Sequence, residues 1–166
     1  MTGALNELRQ DAVELLEEYG LSAVRAMEPD SRKGWDGPVA AVSLSRLVCA
    51  PGGFQDFLGL RENGDTGMEE ELYGRAVEIT LGLDLYAPRQ GGERACQEAV
   101  GVMAEALACR GVGGLTVEEL ETGAVEFLER DGLYRLPVKC LCRGWLAAAV
   151  DRSGAFVDFE VKGRRT

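Results

Sequence analysis

The sequence predicts an α+β fold in which two helices pack on a mixed or antiparallel β-sheet. Residues 4–19 place apolar side chains at helical spacing. From Val77 to Leu85, apolar and polar residues alternate strictly, which is the pattern of a strand with one buried side. Along the chain the order is helix, strands, helix, strands. This order favours helices packed on a sheet over a parallel βαβ array.

Size and charge narrow the classes of function. A chain of 166 residues is expected to fold as a single domain, residues 1–166. The net charge of −10 argues against unspecific binding of nucleic acid, which depends on clustered Lys and Arg. The absence of histidine removes Ser-His-Asp and Cys-His catalysis and histidine metal sites. We therefore expect no enzymatic activity.

The first helix and the first long strand follow from two patterns. The helical stripe over residues 4–19 consists of Leu5, Leu8, Ala12, Leu15, Leu16 and Tyr19. Gly20 is the expected stop of this helix. Residues 28–37 are rich in turn formers and predict a loop. The strand is predicted for residues 38–48, and its two sides are expected to be Ala40, Val42 and Leu44 against Ser43 and Ser45.

Residues 50–70 predict a long loop or an extended β-arm. Loops of this length inside a compact domain are usually functional or disordered. Here the segment carries large apolar side chains that a solvated linker would not need. We predict a subunit interface that includes Phe54, Phe57, Leu58, Leu60, Glu69, Glu70 and Glu71.

A second long strand is predicted for residues 71–87, ending at Pro88, which has no N–H to continue a ladder. Its apolar side should pack under the helices. The opposite side presents Glu78, Thr80 and Asp84, which we expect to face solvent, a neighbouring subunit or a lumen. An interior helix is predicted for residues 92–109, with an apolar stripe of Cys96, Ala99, Val100, Met103 and Leu107.

The C-terminal third predicts a meander of strands. Residues 115–120 and 123–129 are strand-like, and an Asp-Gly turn at 129–132 leads into a strand at 133–147. A turn at 151–154 precedes a last alternating strand. The basic end, residues 162–166, is either a frayed terminus or a tether for the acidic surface of a neighbour.

The cysteine pair Cys140 and Cys142 is the motif that most suggests a chemical site. Two thiolates can bind zinc, but a tetrahedral site needs two further ligands, and none is apparent. Burial in the core is therefore favoured. The glycines of GVGG, residues 111–114, follow a helix, whereas a phosphate loop precedes one, so they predict a helix end. No catalytic, cofactor-binding or metal-binding residues are predicted.

The chain resembles the tail terminator, or tail completion, proteins of tailed bacteriophages and prophages. The resemblance covers roughly residues 4–162. It is carried by the N-terminal helix, the strand PVAAVSLSRLVCA, the loop with FQDFLG, the strand AVEITLGLDLYAPR and the helix ERACQEAVGVMAEALA. Strand "LDLYAP" followed by a helix rich in small residues is its most specific part.

This resemblance implies a virion structural protein assembled in the cytoplasm of the host. Members of the family form homo-hexameric rings that cap the tail tube and provide a docking surface for the head connector. DNA passes through the lumen without specific binding, which suits an acidic chain. The implied partners are other copies of the chain, the tail tube protein and the connector or neck protein, and no cofactor is implied.

Several alternatives stay open. The chain can be a head–tail joining (neck) protein or a tail tube protein of a phage or phage-like particle. It can also be an enzyme or a small-molecule-binding α+β domain, although the sequence names no convergent polar pocket, or a bacterial regulatory or toxin-associated protein. No apolar run approaches the ~20 residues of a membrane helix, so we do not expect contact with a membrane.

Overall fold

The fold is α+β, as predicted, with a mixed sheet. The computed structural model describes residues 2–26, 34–51, 54–150 and 156–162. Within these ranges, nine strands form one sheet, and two long helices lie against it. Strands β1 and β2 pair in parallel, while the remaining pairs are antiparallel.

The first helix, α1 (Thr2–Glu18), covers one end of the sheet. In its predicted stripe Leu8, Ala12, Leu15 and Leu16 are buried and Tyr19 is partly buried, while the side chain of Leu5 lies outside the described part of the structure. The helix ends at Glu18, and Gly20 follows in the turn with a φ of 84°, in the left-handed region that a side chain disfavours. Strand β1 (Ser22–Arg25) follows and pairs with the start of β2 (Val39–Pro51). Helix α1 packs on both strands.

Strand β4 (Glu69–Pro88) is the centre of the sheet. Its predicted apolar row is buried, with Val77 6% exposed and Leu81 fully enclosed. We call the side of the sheet that carries this row the helix-facing side, and the opposite side the open side. Strand β4 ends at Pro88, as predicted.

The segment predicted as a loop or arm is a β-hairpin. A short 3-10 turn (Phe54–Asp56) leads into β3 (Phe57–Glu62), which pairs with the start of β4. Strands β2 and β3 lie on the same edge of β4, because β8 occupies its other edge along both stretches. Strands β2 and β3 therefore form one arm of a long hairpin and β4 forms the other arm, with the turn at residues 63–68.

Helix α2 (Gly92–Arg110) packs on β4, β5 and β7. Its predicted stripe is confirmed, because Cys96, Ala99, Met103 and Leu107 are buried and Val100 is partly buried. The helix ends where the glycines begin, and the N–H of Gly111 donates to the carbonyl of Leu107. The interpretation of GVGG as a helix end is confirmed.

The C-terminal strands differ from the prediction at one strand boundary, at Pro137. Four of the five strands are β5 (Thr116–Thr122), β6 (Glu126–Leu128), β8 (Val138–Val150) and β9 (Phe156–Lys162). The single strand predicted at 133–147 is wrong, because β7 (Leu133–Leu136) ends at Pro137 before β8 begins. Pro137 has no N–H for the ladder. Both β7 and β8 pair with β4, but on the other side β7 pairs with β6, whereas β8 pairs with β5 and β9.

Some predictions lie outside the described residues. These are most of the loop at 28–37, the turn at 151–154 and the basic end beyond residue 162. In the part of the chain that the structure covers, neither helix combines the length and the apolar character that crossing a membrane requires.

Candidate interaction surfaces

Hydrogen bonds around Asn63 organise the turn of the β3–β4 hairpin. The side-chain oxygen of Asn63 accepts from the backbone N–H groups of Asp65 at 2.9 Å and Thr66 at 3.2 Å. Its amide nitrogen donates to the Glu70 carboxylate, which also accepts from Arg61 at 3.0 Å. The backbone of Asn63 adds a bond to the carbonyl of Met68. The turn is thus held in one shape, which lowers the entropy cost of binding through it.

The predicted interface residues of this segment occupy different environments. Phe57 is 44% exposed and Leu60 is 62% exposed, whereas Leu58 is half-buried. Glu69 and Glu71 are exposed. Glu70 is instead buried inside the chain, bound to Arg61 and Asn63. The side chain of Phe54 lies outside the described part of the structure, and the interface role of the whole set stays a prediction.

An apolar row runs along β2 and β3 on the helix-facing side. Its members pair with residues of β4 whose side chains point to that side, because facing residues of antiparallel strands share a side. A β-bulge between Leu44 and Arg46 adds one residue, so Leu44 and Leu47 point the same way although they are three apart. We call this set the edge row: Leu44, Leu47, Cys49, Phe57 and Leu60.

The edge row is exposed where the helix cover ends. Leu44 is 36% exposed and Leu47 is 42% exposed, and Cys49 is also exposed. Phe57 stacks edge-on against Tyr73, with ring centroids 5.6 Å apart. Sequence reasoning missed the β2 half of this row because a strict period of two does not anticipate a bulge. The sequence signal that could have indicated this surface is that the predicted first strand carries apolar residues along its full length and no carboxylate.

The open side carries a network of ion pairs around Glu78. One carboxylate oxygen accepts from Arg46 at 3.1 Å and the other from Arg143 at 2.9 Å. Arg143 also forms an ion pair with Glu118 at 2.8 Å, and Thr80 lies half-buried beside this network. The hydrogen bond to Glu78 raises the pKa of Arg143. Glu78 is therefore neutralised within the chain, and its predicted role toward a lumen or partner stays a prediction.

Asp84 anchors the break between β7 and β8. Its Oδ2 atom accepts two charge-assisted hydrogen bonds from Arg135, from Nε at 3.1 Å and from Nη2 at 2.7 Å. Its Oδ1 atom accepts from the N–H of Val138 at 3.4 Å, the first residue after Pro137. The hydrogen bond to Asp84 raises the pKa of Arg135. The predicted partner-facing residue thus has a structural task of its own.

Replacing Asp84 with asparagine is expected to lower the free energy of unfolding by about 1 to 2 kcal/mol, because it removes the charge from two hydrogen bonds to Arg135. Urea titration followed by circular dichroism measures the change. Glu119→Gln, at an exposed position on strand β5, is the matched control and should change stability by less than about 0.5 kcal/mol. Equal effects of the two variants would contradict the anchoring role.

The Cys140–Cys142 pair belongs to the core, as predicted. Both side chains are fully enclosed and their Sγ atoms lie 3.6 Å apart. The shared hydrogen bond and burial raise the pKa of Cys140, so its thiol stays protonated at neutral pH. Among the described residues, no group of three or more His, Cys, Asp or Glu side chains is placed to hold a metal ion.

Comparison with known protein families finds no matching family, and comparison with curated proteins finds no matching protein. Among solved structures, the fold is similar to that of a chain in the virion of the native gene transfer agent (GTA) particle. The two chains are 15% identical, the match covers 84% of this chain and 90% of the other, and the TM-score is 0.33.

Proposed function

We propose that this protein is a non-enzymatic structural component of a tailed bacteriophage or phage-like particle, of the tail terminator type. In this role its copies associate into a ring, a hexamer as in the family it resembles. The ring caps the tail tube and offers a docking surface to the connector of the head. The class rests on the resemblance of the sequence, and the mode of assembly rests on the geometry of the sheet.

The observation that carries the proposal is the long hairpin. The buried row of β4 ends at Val77, and the strand continues toward Glu69 beside β3 with Arg75 exposed and Tyr73 half-buried. The hairpin turn is held in one shape by Asn63 and presents Met68, which is 60% exposed. Exposed apolar side chains on a rigid element are typical of a protein–protein contact.

The charges of the chain suit a passage for DNA. The net charge of the chain is −10. On β5, the exposed residues Glu119 and Glu121 lie beside the ion-pair network in which arginines balance the charge of Glu78. A lining with an excess of carboxylates repels phosphate, so DNA moves through without being held. In this proposal the open side, with Thr80 and Asp84, turns toward the lumen or toward the tube protein.

The proposal is tested by the native mass of the purified protein across a concentration series, using light scattering or native mass spectrometry. We expect a closed ring whose share grows with concentration, because association of identical subunits obeys mass action. If the protein stays monomeric, the series is repeated with purified tail tube protein. A protein that is monomeric alone and does not bind the tube contradicts the proposed function.

A further inference from the structure

We propose that the edge row is the surface through which one copy of this chain contacts another. The inference rests on the proposed self-assembly and names the surface that performs it. The candidates for such a contact in the described residues are the edge row, the hairpin turn and the exposed aromatic Phe127. Continuity, charge and area favour the edge row.

The edge row is a direct continuation of the core. The β4 partners of Leu44 and Leu47 are Leu81 and Ile79, which are fully or almost fully buried. The same apolar side of the sheet therefore passes from beneath the helices to Leu44 and Leu47 on β2. On β3, Phe57 and Leu60 continue the row opposite Tyr73 and Glu71. A second subunit placed against this row extends the existing core instead of starting a separate contact. Phe127 is different, because Tyr134 and the cation of Arg89 already pack against it.

Charge identifies the occupant as a second copy. The chain carries −10, so two copies repel each other over most of their surfaces. Strand β2 (Val39–Pro51) has no Asp or Glu, and its only ionic side chain, Arg46, is paired with Glu78 on the open side. An acidic second copy can therefore approach β2 without meeting a carboxylate on that strand. The hairpin turn and the β3 end of the row lack this property, because Glu62 and Glu69 are exposed beside Leu60, which is paired with the exposed Glu71.

The exposed area fits an association that depends on concentration. The four large side chains of the row are between 36% and 62% exposed, which gives on the order of 350 Å² of apolar surface if a large side chain presents roughly 200 Å². Contact of this row with an apolar surface of similar size on the next copy buries about twice this area, below the roughly 1,200 Å² of stable complexes. Further copies in a closed ring add the missing stability.

The test compares two arginine substitutions of equally exposed apolar residues. Leu47 is 42% exposed and lies in the edge row, whereas Phe127 is 39% exposed and lies outside it. Both variants should fold, because neither residue is buried. We expect Leu47→Arg to raise the concentration of half-assembly by at least about tenfold, since it places a desolvated charge in the contact. Phe127→Arg should leave that concentration within about twofold of the unchanged protein.

Two native cysteines provide an independent measurement on the unchanged protein. Cys49 lies in the edge row and Cys109 lies at the end of α2, and both are exposed in the single chain. As assembly proceeds, the alkylation rate of Cys49 should fall in parallel with the assembled fraction. Cys109 should keep its rate. Mass spectrometry of the alkylated peptides separates the two sites.

The outcomes separate this inference from the proposed function. If the protein assembles, Leu47→Arg assembles equally well and Cys49 reacts as before, then the edge row is not the contact, while self-assembly stands. If the protein never associates with itself but binds the tube, the inference fails and the role in the virion stands. Loss of assembly in Leu47→Arg alone, with protection of Cys49, supports the edge row.

Discussion

Replacing Leu81 with aspartate is expected to leave almost no soluble, folded protein. Leu81 is fully enclosed at the centre of β4, between Leu44 on β2 and Cys140 on β8. The variant loses about 2 to 3 kcal/mol of apolar burial. It also places a carboxylate where its neighbours are apolar, which costs several kcal/mol more even when the group takes up a proton. Together these losses consume most of the roughly 5 to 15 kcal/mol that keeps a domain folded.

Leu60→Asp is the matched control for this prediction. Leu60 is 62% exposed on the same side of the sheet, so its carboxylate stays in water and the subunit should fold. Soluble yield and the thermal unfolding midpoint distinguish the two variants. A Leu81→Asp protein with an unchanged midpoint would show that the helix-facing side has been assigned wrongly.

Gly74→Ala is expected to have the second largest effect, a loss of about 2 to 3 kcal/mol. A Cβ atom at Gly74 would lie 2.4 Å from the backbone oxygen of Leu146 and 2.9 Å from Cα of Ala147. Both atoms belong to the backbone of β8, which cannot yield without opening the ladder between β4 and β8. The glycine is needed for this close approach of two strands.

Gly82→Ala tests this explanation, because Gly82 lies on the same strand and the same side of the sheet. There a Cβ atom would meet Oγ of Ser43 at 2.4 Å, which is the end of a side chain that can rotate away. Chemical denaturation should therefore show a clearly smaller loss than for Gly74→Ala. A larger loss at Gly82 would exclude the approach of β8 as the cause.

The sequence predicted those elements whose pattern repeats over many residues. The alternation from Val77 to Leu85 and the stripe of α2 each depend on burial of one side, and each appears where it was expected. The open side of β4 was also assigned correctly. The ion pairs of Glu78 and Asp84 could not be predicted, because their arginine partners lie on strands far away in the chain, and the role of both residues toward a partner or lumen stays a prediction.

Most features of the fold that the sequence did not predict are irregularities at single residues. The bulge beside Leu44 and the break at Pro137 each depend on which strand lies next to the chain, and local pattern does not contain this information. The candidate contact shows the same division. The apolar residues of the hairpin were recognised as unusual for a loop, whereas Leu47 became a candidate only once its exposure was known.

The shared edge of β4 also bears on how such a chain can change during evolution. Strands β2 and β3 follow one another along that edge, and each is held by its own register with β4. The connection between Pro51 and Phe57 can therefore gain or lose residues while both strands keep their partners. Descendants of this chain are free to vary in length at that point, and the hairpin of β3 and β4 can evolve separately from the rest of the sheet.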